Sequence, residues 1–240
     1  MDLVSNNSSQ YQTLGNVQLT HLLSAKHYPG ATPETVMADL RGQGFRPYFI
    51  PAGASCHSLG GLGFARWAFE VIEQERQLGI FFDTIIVAVA SGSTLGGMVA
   101  GFKLADRKND EATLATGRCR TLIGVEAYTI PKEEIVKNVL TIAKTTAAHL
   151  GLDESDITEA DFMVDDRFTG PAYGELDIPT IEAIKEMAST EGILLDPVYS
   201  GKAATGMLNI ARNGGLCDGS NTLFCHTGGQ ISLSAYAPTL

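Results

Sequence analysis

The segment from Thr84 to Ala90, TIIVAVA, constrains the fold most strongly because it is almost wholly apolar and rich in β-branched residues. A strand of this kind is usually buried on both faces, as in a parallel sheet that helices cover on both sides. Along the chain, further short apolar runs alternate with segments of helical periodicity. This alternation predicts an α/β fold with an open, mainly parallel sheet flanked by helices.

The remaining elements follow from apolar periodicity and from proline and glycine boundaries. Besides Thr84–Ala90, the predicted strands are Pro47–Pro51, Thr121–Ala127, Phe162–Val164 and Asn221–His226. The predicted helices are Asn16–Leu23, Thr32–Gly44, Leu62–Leu78, Leu95–Leu104, a long helix between Pro131 and Gly151, Pro179–Thr190 and Gly201–Asn213. A change in character near Phe49 suggests a domain boundary there.

The composition of the 240 residues limits the classes of partner and the cellular compartment that we expect. A net charge of −10 argues against nucleic acid or an anionic membrane as the main partner. The start is polar, without the apolar core of a secretory signal, and no apolar run is long enough to span a membrane. The four cysteines form no C-x-x-C pair and no zinc spacing. We therefore expect no disulfide framework and a reducing, cytoplasmic compartment.

The loop after the apolar strand, ASGSTLGG, is the most informative local feature. It joins a buried strand to a helix, so its N–H groups and the helix dipole can face one anion. The predicted phosphate-binding residues are Ala90, Ser91, Gly92, Ser93 and Thr94. The chain lacks the G-x-x-x-x-G-K-[ST], G-x-G-x-x-G and G-x-S-x-G patterns of other strand–loop–helix sites. A tight turn whose glycines serve only packing remains the alternative.

Several short motifs accompany this loop in a fixed order. They are Gly15-Asn16, Ile50–Gly53 (IPAG), Leu59–Phe64 (LGGLGF), Gly92–Thr94 (GST), Gly170–Gly174 (GPAYG), Asp196–Tyr199 (DPVY) and Gly201-Lys202. Together they resemble the family of 1-aminocyclopropane-1-carboxylate (ACC) deaminase and D-cysteine desulfhydrase, which are pyridoxal-5′-phosphate (PLP) enzymes. The resemblance covers about residues 11 to 236. An unrelated nucleotide-binding module is the alternative.

The resemblance implies the type II PLP fold of the tryptophan-synthase β superfamily. Residues 49–240 would form the large domain that binds the cofactor phosphate, and residues 1–48 would be the end of a smaller domain. It also implies a homodimer that acts on a small amino acid and releases ammonia and an α-keto acid. Tyr173 and Tyr199 match the family's active-site tyrosines, although a loop tyrosine taken alone more often serves packing.

The family's Schiff-base lysine, nucleophilic serine and cofactor-side asparagine precede the region that Gly15-Asn16 matches. This sequence has no counterpart for them, and neither Lys26 nor Lys202 lies in the matching motif. We therefore expect Lys202 to be a structural or surface lysine. The chain is then expected to be a fragment of such an enzyme or a non-catalytic, truncated paralogue.

Two positions bear on the substrate. ACC deaminases resemble one another in V-Y-E-G-K and H-L-G-G, where this chain has Ser200 and Thr227. A carboxylate beside the cofactor's ring nitrogen keeps it protonated, and opening a cyclopropane ring needs that strong electron sink. Eliminating a thiolate can proceed with a weaker electron sink, because the thiolate leaves readily. We assign Thr227 to the ring nitrogen with Ser200 nearby, and we favour D-cysteine slightly over ACC, although the other motifs look closer to ACC deaminase.

Overall fold

The computed structural model describes residues 13–51, 53–55, 57–108 and 119–236. Within them, a parallel sheet consists of β1 (Phe82–Val89), β2 (Thr121–Glu126), β3 (Met163–Asp165) and β4 (Asn221–Phe224). The strand order is β3-β2-β1-β4, and every neighbouring pair is parallel. The predicted parallel sheet is therefore confirmed.

The helices agree closely with those predicted. They are α1 (Gly15–Leu22), α2 (Pro33–Gly42), α3 (Leu62–Leu78), α4 (Ser93–Lys108), α5 (Lys132–His149), α6 (Ile178–Glu191) and α7 (Ser200–Arg212). Short 3-10 turns cover Glu154–Asp156, Glu159–Asp161 and Gln230–Tyr236. Local interactions fix several helix ends. The Asp177 carboxylate caps the start of α6. Gly79 and Gly192 adopt the left-handed conformation and end α3 and α6. None of the described helices is long and apolar enough to cross a membrane.

Alternate residues of β1 point into two separate apolar layers, which explains why the strand is apolar throughout. Ile85, Val87 and Val89 join the core beneath α3, α4 and α5. Ile86 points to the other face, where it packs with Ala203 of α7. The helix pair α3/α4 is also unusually close, since a Cβ at Gly97 would lie 2.2 Å from the carbonyl oxygen of Gly61. This packing holds the start of α4 at the end of β1.

The predicted strand Pro47–Pro51 is wrong. These residues form no ladder with any strand in the described part of the chain, and Tyr48 and Ile50 are 73% and 71% exposed. The two prolines lack the N–H groups that a ladder needs, so the apolar run alone did not produce a strand. Elsewhere the differences are small: α4 begins at Ser93 rather than Leu95 and ends at Lys108 rather than Leu104, and β4 ends at Phe224 rather than His226.

The amino-terminal segment contacts the rest of the chain through α1. Gly15 donates from its N–H to Ser234 Oγ at 3.1 Å, and a Cβ there would lie 3.2 Å from the Cα of Ser232. Most other residues up to Ile50 are exposed. Residues 1–12 lie outside the described part, and the division into residues 1–48 and 49–240 stays a prediction.

Candidate cofactor site

The loop from Ala90 to Thr94 leaves β1 at its carboxyl end and enters α4 directly. Gly92 has a φ of +104°, which favours glycine, and Ser93 is the first residue of α4. The first N–H groups of a helix have no intrahelical acceptor. In the described part of the chain, no backbone carbonyl accepts from the N–H groups of Gly92, Ser93 or Thr94. These amides are therefore available to an anion.

A cavity of about 250 Å³ lies above this loop. It is lined by Gly53, Ala88, Val89, Ala90, Ser91, Gly92, Ser93, Thr94, Tyr199 and Thr227. The structure thus brings together all five loop residues of the predicted site with one predicted tyrosine and with Thr227. We call this cavity the cup.

Gly53 lines the cup from a separate segment, in which both Gly53 and Ser55 contact Ser93. Ser93 Oγ donates to the Gly53 carbonyl at 3.1 Å and lies 2.8 Å from Ser55 Oγ. A Cβ on Gly53, whose φ is +69°, would lie 2.6 Å from Ser91 Oγ. Sequence reasoning gave Gly53 no role in the site, although its place after Pro51 in the IPAG motif was a usable signal.

Tyr173 does not line the cup but reaches it through Tyr199. The two hydroxyls are hydrogen-bonded, and the ring centroids are 6.0 Å apart. A third ring, that of Tyr128, meets Tyr173 edge-on at 5.0 Å. Tyr128 was missed at the sequence level because nothing in its local pattern marks an aromatic contact with a distant loop. The three rings form what we call the tyrosine row.

Ser200 occupies a different position from Thr227. It is 1% exposed and is not among the residues that line the cup. Its hydroxyl donates to the Asp196 carboxylate, and the same oxygen lies 3.3 Å from the Gly228 carbonyl. Asp196 also accepts from the N–H groups of Tyr199 and Ser200, each at 2.7 Å. Asp196 thereby orients the turn that carries Tyr199, a role that sequence reasoning also missed.

Lys202 is buried rather than on the surface, so the expected structural role fits its position. Its side chain is 0% exposed, and Nζ donates to the Thr169 carbonyl. It is not among the residues that line the cup. Burial lowers the pKa of its ammonium group, while the charges of Asp177 and Glu126 act in the opposite direction.

The residues of the cup fit the groups of PLP. A phosphate needs several donors at one place, and the cup offers the amides of a helix N-terminus, which have no backbone acceptor among the described residues, with the hydroxyls of Ser91 and Thr94. A side chain at position 53 would meet Ser91 of the cup, whereas one at position 92 would meet Val139 and Ile142 of α5, so the glycine at 92 serves helix packing. No described group of three or more His, Cys, Asp or Glu residues could hold a metal ion.

Comparisons with known proteins agree with this chemistry. A family model described as "Pyridoxal-phosphate dependent enzyme" matches residues 5–228. A "Probable 1-aminocyclopropane-1-carboxylate deaminase" of Schizosaccharomyces pombe is 39% identical over 98% of this chain and 69% of its own length. A protein of the same name from Cryptococcus neoformans is 40% identical over 95% of this chain and 65% of its own length.

A solved structure described as an ACC deaminase homologue superposes with a TM-score of 0.73 at 26% identity. The match covers 92% of this chain and 64% of that one. This chain therefore spans about two thirds of the length of the relatives that it matches. The matched fold is the type II PLP fold. The chain belongs to the pyridoxal-phosphate dependent enzyme family, and its relatives there include probable ACC deaminases.

Proposed function

We propose that the chain binds the phosphate of PLP in the cup and acts on a small amino acid, releasing ammonia and an α-keto acid. The observation that carries this proposal is that the start of α4, whose first N–H groups have no backbone acceptor among the described residues, lines the same cavity as Tyr199 and Thr227. We assign the cup to the phosphate, Thr227 to the ring nitrogen and the two linked tyrosines to the substrate side. The family resemblance further favours a cytoplasmic homodimer.

PLP, when bound, withdraws electrons from the α-carbon of the amino acid. The chain's own residues then have to hold the substrate and control its protons. The Tyr173 and Tyr199 hydroxyls share a hydrogen bond, so the tyrosine that donates to the substrate can at the same time accept from the hydroxyl of the other. Tyr199 lines the cup itself, and we propose that it contacts the reacting end of the substrate.

D-cysteine is the slightly favoured substrate because hydroxyls stand at the two positions that bear on the ring nitrogen. Thr227 lines the cup, whereas the Asp196 carboxylate accepts hydrogen bonds from three N–H groups and the Ser200 hydroxyl. A hydroxyl neighbour leaves the ring nitrogen closer to neutral. Thiolate elimination tolerates that weaker electron sink better than opening a cyclopropane ring does.

A second candidate function is PLP or phosphate binding without catalysis. No lysine is among the described residues that line the cup, and Nζ of Lys202 is bonded to the Thr169 carbonyl instead. A lysine that bonds the cofactor covalently also moves the α-proton in enzymes of this class. A chain without one would retain the phosphate site but not the turnover.

The cup is tested by Thr94→Asp. Thr94 lies in the first turn of α4, where a negative charge favours the helix by about 0.3–1 kcal/mol. The same charge repels a phosphate, so the dissociation constant for PLP should rise by about tenfold or more. Equilibrium dialysis with PLP, and with pyridoxal as the ligand lacking phosphate, measures the effect.

Thr94→Asn is the matched control because it has the same shape without the charge. We expect a smaller loss of PLP affinity for this variant and similar pyridoxal binding for all three proteins. If Thr94→Asp binds PLP as tightly as the unchanged chain does, the phosphate does not lie in the cup.

The substrate is tested with the chain completed by the lysine-bearing segment that the family resemblance places before Gly15-Asn16, by incubating it and PLP with D-cysteine or ACC and measuring α-keto acid and ammonia. Sulfide should appear with D-cysteine, at a higher rate than α-keto acid from ACC. A higher rate with ACC would reverse the preference. No turnover of either, together with PLP binding in the cup, would favour the non-catalytic function.

A further inference from the structure

The loop from Thr169 to Gly174, which carries Tyr173, is held at both ends by buried side chains. Nζ of Lys202 donates to the Thr169 carbonyl at one end. The Tyr236 hydroxyl donates to the Gly174 carbonyl at 2.6 Å at the other end, and Tyr236 is 0% exposed. We call this segment the Tyr173 loop.

Burying the Lys202 ammonium at this position costs free energy. It is 0% exposed, and no described carboxylate lies within the 4.0 Å of an ion pair with it. A buried charge without a close counter-charge costs several kcal/mol, and an apolar side chain of similar length would avoid that cost. The backbone fits closely around it, because a Cβ on Gly170 would lie 3.2 Å from Nζ. The group therefore does more than fill space.

The opposite side of the Tyr173 loop is organised by Glu126, the last residue of β2. Its buried carboxylate accepts from the N–H groups of Tyr128 and Thr129. This holds Thr129 at a φ of +62°, a strained value for a β-branched residue. Thr129 Oγ1 lies 3.5 Å from the same Thr169 carbonyl that Lys202 contacts. The turn also sets the Tyr128 ring against Tyr173.

We propose that Lys202 is a positioning residue. Its hydrogen bond to the Thr169 carbonyl holds the Tyr173 loop in place. Tyr173 then packs between Tyr128 and Tyr199 at the mouth of the cup. This inference rests on the proposed function, which gives Tyr173 its place beside the substrate. Glu126 completes the arrangement from the other side by fixing the turn of Tyr128. Lys202 acts through the loop and does not itself reach the cup.

The test is Lys202→Met, which keeps the length of the side chain and removes the donor. In protein with ¹³C-labelled tyrosine rings, the unchanged chain should show a nuclear Overhauser cross-peak between Tyr128 and Tyr173, whose centroids are 5.0 Å apart. Lys202→Met should lose this cross-peak. Tyr128→Phe and Tyr173→Phe identify the two signals.

Lys185→Met is the matched control, because Lys185 is an exposed lysine on α6. It should keep the cross-peak. The dissociation constant for PLP in Lys202→Met should stay within about threefold of the unchanged chain, because Lys202 has no contact with the cup. A folded Lys202→Met protein with the cross-peak at full strength would overturn the proposal.

If Lys202→Met does not fold, Lys202→Leu, a second apolar side chain without a donor, decides the question. Loss of the cross-peak supports the proposal, and its retention refutes it. The measurement needs no cofactor, so failure of the chain to bind PLP would count against the proposed function alone.

Discussion

The two ends of the parallel sheet differ in how their polar groups are bonded. At the amino end, Arg120 and Glu75 form a buried ion pair with N–O distances of 2.8 and 2.9 Å. Arg120 also donates to the Phe82 carbonyl, and Glu75 accepts from the Phe82 N–H, each at 2.7 Å. The guanidinium stacks on the rings of Phe81 and Phe102 at 4.5 and 4.4 Å. The charged groups here are bonded to each other and to the backbone.

At the carboxyl end, polar groups are left open. The amides at the start of α4 have no backbone acceptor in the described part of the chain, and Oε2 of buried Glu126 has no hydrogen-bond partner there. Such groups cost stability unless a ligand or water satisfies them. The amino end thus contributes stability, whereas the carboxyl end leaves donors open at the edge where open α/β sheets bind ligands.

The largest expected loss of stability comes from removing the buried ion pair at the amino end of the sheet. Arg120→Met leaves the Glu75 carboxylate buried without its partner, so the free energy of unfolding should fall by about 3–5 kcal/mol. Urea denaturation measures it. Arg66→Met is the control, because the Arg66–Glu70 pair has side chains 85% and 56% exposed. That change should cost less than about 1 kcal/mol. Equal losses would remove the contrast between buried and exposed pairs.

A smaller loss is expected at the Tyr173 loop. Tyr236→Phe removes the hydroxyl that donates to the Gly174 carbonyl and leaves that oxygen buried without a partner. The free energy of unfolding should fall by about 1–3 kcal/mol. If urea denaturation shows no change, the Gly174 carbonyl does not depend on the Tyr236 hydroxyl for its stability.

A pH-dependent effect should come from Glu126. Burial raises its pKa above the ordinary 4.5, against the N–H groups of Tyr128 and Thr129. The folded chain therefore keeps this proton to a higher pH than the unfolded chain. The contribution of Glu126 to the free energy of unfolding then falls as pH rises from 4.5 through the raised pKa. Glu126→Gln should remove that fall.

Urea denaturation of both proteins at several pH values measures the difference. The unchanged chain should lose more stability than Glu126→Gln between the two ends of that range. An identical pH dependence for the two proteins would show that Glu126 ionises as freely as in the unfolded chain.

The smallest effect concerns thiol reactivity within the sheet. Cys225 follows β4 and is buried, which raises the pKa of its thiol from 9.0 to about 11. Few thiolates form near neutral pH, so iodoacetamide should modify exposed Cys119 and Cys217 well before Cys225. Mass spectrometry of the labelled chain measures the order, and urea should abolish it. Early labelling of Cys225 would mean that this part of the sheet opens readily.

Much of the fold was predictable because its signals are local. The TIIVAVA run predicted a strand buried on both faces, and β1 indeed packs α3, α4 and α5 on one face and α7 on the other. The apolar run at Pro47–Pro51 misled, because a strand also needs N–H donors and a neighbour to pair with. Hydrophobicity supplies neither.

The site was predictable only in part. The loop from Ala90 to Thr94 and Thr227 could be named from motifs, and the structure brings them to one cavity. Ser200 and Thr227 looked equivalent as hydroxyl residues, yet one is buried beneath Asp196 and the other lines the cup. Tyr128 could not be found, because its contact with Tyr173 depends on two loops that meet only in the folded chain.

By itself, the sequence determined the strands of the parallel sheet, the order of the helices and the glycine- and hydroxyl-rich loop after β1, because periodicity and turn residues act over a few neighbouring positions. Tertiary structure decided which hydroxyls face the cup and why a lysine is buried beside the Tyr173 loop. Those outcomes depend on distances between residues far apart in the chain, and such distances are set only when the helices pack on the sheet.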